Sequence, residues 1–376
     1  MKNLQRIENE LKLKKQLDLL REPIEISQRD GKYIIVNGKK IINLSSNDYL
    51  GLAANDGLRR KIIKIQEKYS ISSSSSRLVT GNEKIIREVE QYFASFFGYE
   101  DAMFFTSGFM ANVGLISSLF SAESTIFYDK HVHASVVTGL ELNQAKKIGF
   151  KHNQTSHFSK RFAKHANSEN WVILESLYSM DGESADYRFW ESQKDKINLI
   201  VDEAHAYGIL GEKGKGLFGS IADIAVGTFG KAFGYTGAFL LLPKIVRTYL
   251  ENNCKAYIYT TGISPANAMV GKFLLDQIAT MDAEREIVRN LSNHLRNLLR
   301  NEKISFQGKY HIIAIEIGDE GKAIQIQKIM QNDGFFVFAS RFPTVPLGKA
   351  ILRISLNPLI SPKDLEIFVS KLRKLL

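Results

Sequence analysis

Short apolar runs alternate with helical periodicity along most of this chain. From about residue 101 the runs occupy 102–105, 125–128, 171–174, 199–201, 224–227 and 239–242. Each is too short for a helix and apolar on both alternating faces, the pattern of a strand buried on two sides. Between them the periodicity predicts helices over 108–120, 133–144, 156–166 and 244–253. Such alternation predicts βα units and a mainly parallel α/β sheet covered by helices on both faces. In sheets of this kind ligands sit at the carboxyl ends of the strands.

The flanks read differently. Residues 1–22 predict a helix with Leu4, Ile7, Leu11, Leu17 and Leu20 on roughly one face, stopped at Pro23. Segments 33–36 and 39–44 around Asn37-Gly38 predict a hairpin with a type I′ turn. Asn82 is placed to cap a helix whose apolar face is Ile85, Ile86, Val89, Tyr92, Phe93 and Phe96. A long helix over about 265–300 precedes a change of character. The remainder comprises runs at 311–317, 335–339 and 351–356, a helix over 320–332 and a last helix opened by Ser361-Pro362, and it predicts a smaller α+β unit. Three parts are expected: an N-terminal helix and hairpin segment (1–50), a large domain (51–280) and a small C-terminal domain (281–376).

Composition narrows the class. With 44% hydrophobic and 24% charged residues, the 376-residue chain is an ordinary globular protein of more than one core. The single cysteine, Cys254, excludes an internal disulfide and a cysteine-based metal cluster, and it fits a reducing compartment. No apolar run reaches the length of a membrane span. The N-terminus lacks the apolar core of a signal peptide, so a cytoplasmic location is expected. The net charge of +10 serves solubility or attracts an anionic partner, such as a CoA thioester or an acidic carrier protein. Basic residues are spread along the chain without interleaved aromatics, which argues against nucleic acid.

The candidate chemistry lies at two strand ends. Lys231 stands in Val226-Gly227-Thr228-Phe229-Gly230-Lys231-Ala232-Phe233-Gly234, among glycines and beside the hydroxyl of Thr228. Asp202 ends the run Asn198-Leu199-Ile200-Val201-Asp202, with Glu203-Ala204-His205 following. A reachable lysine can condense with the aldehyde of pyridoxal phosphate (PLP), and a carboxylate can keep its pyridine nitrogen protonated, so that the ring accepts electrons. A buried carboxylate is costly without a cation, which a pyridinium supplies; a loop or capping acid is the plain alternative. His205 is placed to reach the ring hydroxyl, or else is a loop histidine. His133, between a strand and a helix in Asp129-Lys130-His131-Val132-His133-Ala134-Ser135, either stacks on a flat cofactor or caps the helix. Thr106-Ser107-Gly108-Phe109-Met110-Ala111-Asn112 opens a helix, where free N–H groups can hold a phosphate. The glycines of 211–216 predict a mobile surface loop rather than a nucleotide-binding one. Arg353, on an apolar strand, either pairs with an internal acid or offers a two-pronged grip to a substrate carboxylate.

Taken together these segments resemble the α-oxoamine synthases, PLP enzymes of fold type I, over roughly residues 1–376. The motifs are Asn43-Leu44-Ser45-Ser46-Asn47-Asp48-Tyr49-Leu50-Gly51-Leu52, Ser76-Arg77-Leu78-Val79-Thr80-Gly81-Asn82, Ser107-Gly108-Phe109, His133-Ala134-Ser135, Ser179-Met180-Asp181-Gly182, Asp202-Glu203-Ala204-His205, Thr228-Phe229-Gly230-Lys231 and Pro343-Thr344-Val345-Pro346. The resemblance implies that Lys231 holds PLP and serves as acid and base, that Asp202 pairs with the pyridinium, and that His133 stacks on the ring. It implies that Ser179 and His205 bond the ring oxygen, and that Ser107, Gly108, Phe109 and Thr228 bind the phosphate. Thr260 and Thr261 would reach the phosphate of a neighbouring subunit, which implies a homodimer with shared sites. Asn47 and Arg353 would hold an amino-acid carboxylate, with Ser76 also at the substrate. The biotin-synthesis branch, which condenses L-alanine with pimeloyl-CoA or a pimeloyl carrier protein, is favoured by 76–81. Sister synthases remain open: a long-chain aminoketone signal synthase, glycine C-acetyltransferase, 5-aminolevulinate synthase or serine palmitoyltransferase. So do an inactive scaffold subunit and an unrelated fold type I aminotransferase. Ser72 to Ser75 stand where the family often has glycines. A position there that needs positive φ would strain serine.

Overall fold

A computed structural model describes residues 4–376; Met1 to Asn3, the expected start of the first helix, lie outside the described residues. The chain divides into two compact units, one of Asn55–Ser179 with Ser184–Arg285, the other of residues up to Ala54 with Met180–Glu183 and Glu286–Leu376.

The first unit is built on a seven-stranded sheet. Its order is Asp101–Phe105, Ala238–Leu242, Ile224–Thr228, Asn198–Asp202, Asn170–Glu175, Thr125–Asp129 and Lys146–Phe150. Ala238–Leu242 runs antiparallel to both neighbours, and the other adjacent pairs are parallel. The six expected strands are all present, because Val, Ile, Leu and Phe runs buried on two faces cannot be satisfied elsewhere. The seventh, Lys146–Phe150, escaped the pattern. It is an edge strand that starts on two exposed lysines, and lysine at an edge deters pairing with another chain.

Helices at Gly108–Leu119, Ala134–Glu141, Thr155–His165 and Lys244–Asn253 match the expected ones. Two expectations fail. The long helix is two, Pro265–Ile278 and Asp282–Asn301. At the break the Arg285 guanidinium donates to the Ile278 carbonyl at 2.8 Å and to that of Gly208 at 3.1 Å, supplying partners that a continuing helix would have replaced. Nor does Asn82 cap the helix Lys84–Phe97: Glu83 holds that position without a side-chain bond. The Asn82 carbonyl instead accepts from Arg77 at 2.7 and 3.0 Å.

Arg77 belongs to a buried ion network. The Glu90 carboxylate, fully buried, accepts from Arg77 (2.8 Å), Arg87 (2.7 Å) and the Phe104 N–H (2.9 Å), and the Arg247 guanidinium pairs with it in charge at 3.1 Å. Burial alone would raise the Glu90 pKa, but three guanidiniums outweigh it and hold it at about 2. The network ties the segment after Ser76 to the helix Lys84–Phe97 and the first strand of the sheet.

In the second unit Tyr33–Val36 and Lys39–Asn43 form the expected hairpin, with Asn37 at φ 50° and Gly38 at φ 74° as a type I′ turn demands. The N-terminal helix is shorter than expected, Gln5–Gln16, because Asp18 at φ 55° turns the chain before Pro23 is reached. A second four-stranded sheet, Phe306–Gln307, Ile312–Gly318, Ala350–Ser355 and Phe338–Ser340, is antiparallel throughout. Ser361 opens the last helix, Pro362–Arg373, with a reciprocal bond to Asp364. Among the described residues no helix is long and apolar enough to cross a membrane.

Glu90→Gln removes the counter-charge that the buried Arg77 and Arg247 and the half-buried Arg87 share. We expect a loss of about 3–5 kcal/mol in urea-unfolding free energy. A loss below about 1 kcal/mol would show that the network is dispensable.

Candidate active site

Asp202 and Lys231 come off neighbouring parallel strands at the same carboxyl end of the sheet. Asp202 is in register with Val226, and Lys231 lies just beyond the end of that second strand at Thr228. Gly234, at φ 62°, donates its N–H to the Lys231 carbonyl at 2.9 Å and turns the chain back towards Ala238–Leu242. The ammonium of Lys231 meets Nε2 of His205 at 2.7 Å, and His205 is buried while Lys231 is half-buried. The lysine and the histidine that follows Asp202 by three residues thus touch.

Asp202 is only 8% exposed and forms no ion pair among the described residues. Its Oδ1 accepts the Ala204 N–H at 2.9 Å and its Oδ2 the Asn112 amide at 2.8 Å. The same Asn112 nitrogen lies 3.0 Å from the Ser135 hydroxyl, which is 2.7 Å from Nδ1 of His133. His133 caps the helix Ala134–Glu141, taking the Ser135 N–H at 3.2 Å, and its residue surface stays exposed. Crowding about the ring pushes the His133 pKa below the usual value; Asp202 pulls it up and Lys231 pushes it down. Asn112 and Ser135, both fully enclosed, were not singled out from sequence. Their only signal was membership of two helix-opening motifs.

This donor set fits PLP. A buried carboxylate bonded only by N–H donors, without a cationic side chain, wants a cation, and a protonated pyridine supplies one. An exposed imidazole lies within the field of that carboxylate, and a half-buried amine stands on the next strand. For a phosphate there is the start of Gly108–Leu119. Ser107 accepts the Met110 N–H on its hydroxyl (3.3 Å) and the Ala111 N–H on its carbonyl (3.0 Å). The N–H groups of Gly108 and Phe109 are those a helix start leaves without an internal partner. Gly108 faces Thr228: a Cβ there would sit 3.7 Å from that side chain. Thr228 itself donates its hydroxyl proton to the Gly237 carbonyl (3.1 Å) and accepts from the Gly230 N–H (3.0 Å). Any further contact it makes is therefore as an acceptor, or follows release of Gly237.

The remaining candidates lie in other settings. Ser179 is half-buried in the segment after Asn170–Glu175. Thr261 forms an antiparallel bridge with Ser76, and the half-buried Thr260 precedes it. Within the second unit Asn47 and Arg353 share one phenol. Tyr49 donates to the Asn47 carbonyl at 3.0 Å and accepts from Arg353 at 3.3 Å, while Arg353 also reaches the Ser355 hydroxyl at 2.7 Å. In the serine run, Ser74 does occupy a left-handed conformation (φ 46°), steadied by a bond from its N–H to the Ser72 hydroxyl at 3.0 Å. A cavity of about 200 Å³ lies under Ile71 and Ser72, bordered by Thr106, Thr236 and Asn267; the Lys231 and Asp202 side chains do not line it.

Glu203, beside Asp202, corrects the reading of the glycine loop. Fully buried, it accepts the Ser176 hydroxyl (2.6 Å) and the N–H groups of Leu217 (3.1 Å) and Phe218 (2.7 Å). Gly208 N–H bonds the Gly214 carbonyl and Gly216 N–H that of Leu210, so residues 211–216 are a pinned turn, not a mobile loop. Burial dominates its bonds and lifts the Glu203 pKa to about 7. An acid raised in the fold is ionised first in the unfolded chain. Its stabilisation is therefore full below the ordinary value near 4.5 and is lost as pH rises through about 7. Urea unfolding between pH 5 and 8 should show a decline on the order of 2–3 kcal/mol that is missing in Glu203→Gln. Parallel profiles for the two proteins would refute it.

The model of the aminotransferase class I and II family matches residues 39–372. An 8-amino-7-oxononanoate synthase of Haemophilus ducreyi is 35% identical over 90% of this chain and 92% of its own length. One from Chlorobaculum parvum is 33% identical over 93% of each. Among solved structures, serine palmitoyltransferase of Sphingomonas wittichii superposes with a TM-score of 0.90 at 26% identity, covering 99% of this chain and 96% of that one. The 8-amino-7-oxononanoate synthase of Francisella tularensis superposes at 0.77 with 28% identity, covering 89% and 97%. The sheet with its single reversed strand is thus the fold type I sheet, and this chain belongs to the aminotransferase class I and II family, within its α-oxoamine synthases, as a PLP-dependent acyltransferase.

Proposed function

We propose that this enzyme condenses L-alanine with a pimeloyl thioester, giving 8-amino-7-oxononanoate, carbon dioxide and a free thiol, the step that serves biotin synthesis. The placement of Lys231 and Asp202 on adjacent strand ends carries the reading, and the names of its relatives supply the product. When bound, PLP supplies an aldehyde for the lysine and a ring that accepts electrons from the substrate α-carbon.

The chain's own residues do the rest. Lys231 would hold the aldehyde and, once the amine of alanine has displaced it, would take the α-proton of alanine on its freed Nζ. Its 2.7 Å contact with Nε2 of His205 orients that nitrogen. Asp202 is steadied by Asn112 and the Ala204 N–H, and it would pair with the pyridine nitrogen and keep it protonated. His133 covers one face of the ring, and Ser179 and His205 bond its oxygen. Ser107, Gly108, Phe109 and Thr228 hold the phosphate, with Thr260 and Thr261 of a second copy completing it in a homodimer. Asn47 and Arg353 grip the alanine carboxylate, and Ser76 contacts the substrate. The α-carbon bonds to the thioester carbonyl carbon, and the carbon–sulfur bond breaks to release thiolate. The carboxylate departs as carbon dioxide, and a proton returns to the α-carbon.

Serine palmitoyltransferase chemistry is the second reading, favoured by the fit to that structure over nearly the whole chain. Thiol release from pimeloyl-CoA or a pimeloyl carrier protein, with alanine, glycine and serine in turn, separates the two. We expect alanine and pimeloyl to be preferred, and Lys231→Ala to lose about 10³-fold or more of turnover. Strict use of glycine, or of serine with a long acyl chain, would move the enzyme to a sister branch. Protein that stays colourless with PLP would make it an inactive subunit.

A further inference from the structure

The hydrogen bonds from Asp202 to His133 can be given a direction. A carboxylate only accepts, so the Asn112 atom 2.8 Å from Asp202 Oδ2 is its NH₂ group; the flipped amide would set two acceptors together. One of its two hydrogens goes to Asp202, and the other points at the Ser135 oxygen 3.0 Å away. Ser135 therefore accepts from Asn112, and its own proton is free to turn to Nδ1 of His133 at 2.7 Å. The Ser135 backbone N–H aims at the same nitrogen from 3.2 Å. Two donors converge on Nδ1. That atom must present a lone pair, so the ring hydrogen sits on Nε2.

From this geometry we infer that Asn112 and Ser135 are positioning residues that lock His133 as the neutral Nε2–H imidazole and tie its orientation to the carboxylate of Asp202. The physical consequence is twofold. Protonating Nδ1 would force the Ser135 hydroxyl to turn and set two N–H groups against each other, so the charged ring is disfavoured by bonding as well as by crowding. A neutral ring above a cationic pyridine also avoids like-charge repulsion at the face His133 is proposed to cover, and in that respect the inference rests on the function proposed above. The charged groups bearing on His133 are Asp202, which favours protonation, and Lys231, which opposes it. The lock lets the ring stay neutral although a carboxylate lies near. Both positioning side chains are sealed from solvent, Asn112 at 2% and Ser135 at 0% exposure, so water cannot substitute for either.

Nitrogen NMR of the full-length protein, labelled with ¹⁵N-histidine and studied with and without PLP, tests this independently of turnover. The His133 signals are assigned by their loss in His133→Asn. We expect one tautomer, with a lone-pair Nδ1 and a protonated Nε2, and a titration midpoint below that of an ordinary histidine. Ser135→Ala, which keeps the backbone N–H but loses the hydroxyl donor, should weaken the preference for this tautomer and move the midpoint upward, while Ser135→Thr, which keeps the hydroxyl, should restore both. A protonated Nδ1 in the unaltered protein would overturn the inference, as would a Ser135→Ala protein with unchanged tautomer and midpoint. If Ser135→Ala fails to fold, the tautomer of the unaltered protein still decides. Loss of alanine condensation with the lock intact would count against the proposed reaction alone.

Discussion

A carboxylate buried without a cation is the constraint on which the rest of this site depends. Asp202 ends a strand whose neighbours shield it from water, and two N–H donors are all that its own chain provides. Such a group is expensive to enclose, and it can be kept only where a ligand or a solid hydrogen-bonding frame holds it. The frame is the start of two helices: Asn112 from one and Ser135 from the next. The ligand proposed for it is PLP, whose pyridinium would complete the charge. The parallel sheet matters because it brings the Lys231 amine to the same carboxyl end by a one-strand step.

The neighbouring acid shows how sharply environment divides two adjacent carboxyl groups. Asp202 is turned towards the amide of Asn112. Glu203 is turned the other way, under the turn at 211–218, and is held by Ser176 and two backbone N–H groups. Strand alternation sends their side chains to opposite faces. One is proposed to serve the cofactor; the other pins a glycine-rich turn. Glu90, in turn, stays ionised because three arginines surround it, where Glu203 has none.

Much of this was readable in the sequence, for a physical reason. A strand buried on two faces must be apolar throughout, so six of the seven central strands announced themselves. The edge strand at 146–150 did not, since an edge is protected by the same lysines that mark a surface segment. The helix break near 279–281 was invisible, because periodicity continues across it and only the distant Gly208 and the returning Arg285 make it favourable. Asn82 looked like a cap but serves Arg77 instead, a partner five residues before it that local pattern ranks below the helix.

The sequence by itself determined the fold class and the cofactor chemistry, and it singled out the lysine and carboxylate proposed to address it. Those follow from apolar run lengths and from residue types placed just after strands. Only the tertiary structure decided which groups hold those residues still. Asn112 and Asp202 stand 90 positions apart, and neither helical nor strand periodicity relates them; folding alone brings an amide within 2.8 Å of the acid. Nor could the sequence choose between stacking and capping for His133. The structure gives its edge the capping bond and leaves the residue exposed, since a ring nitrogen and a ring face are separate surfaces of one side chain.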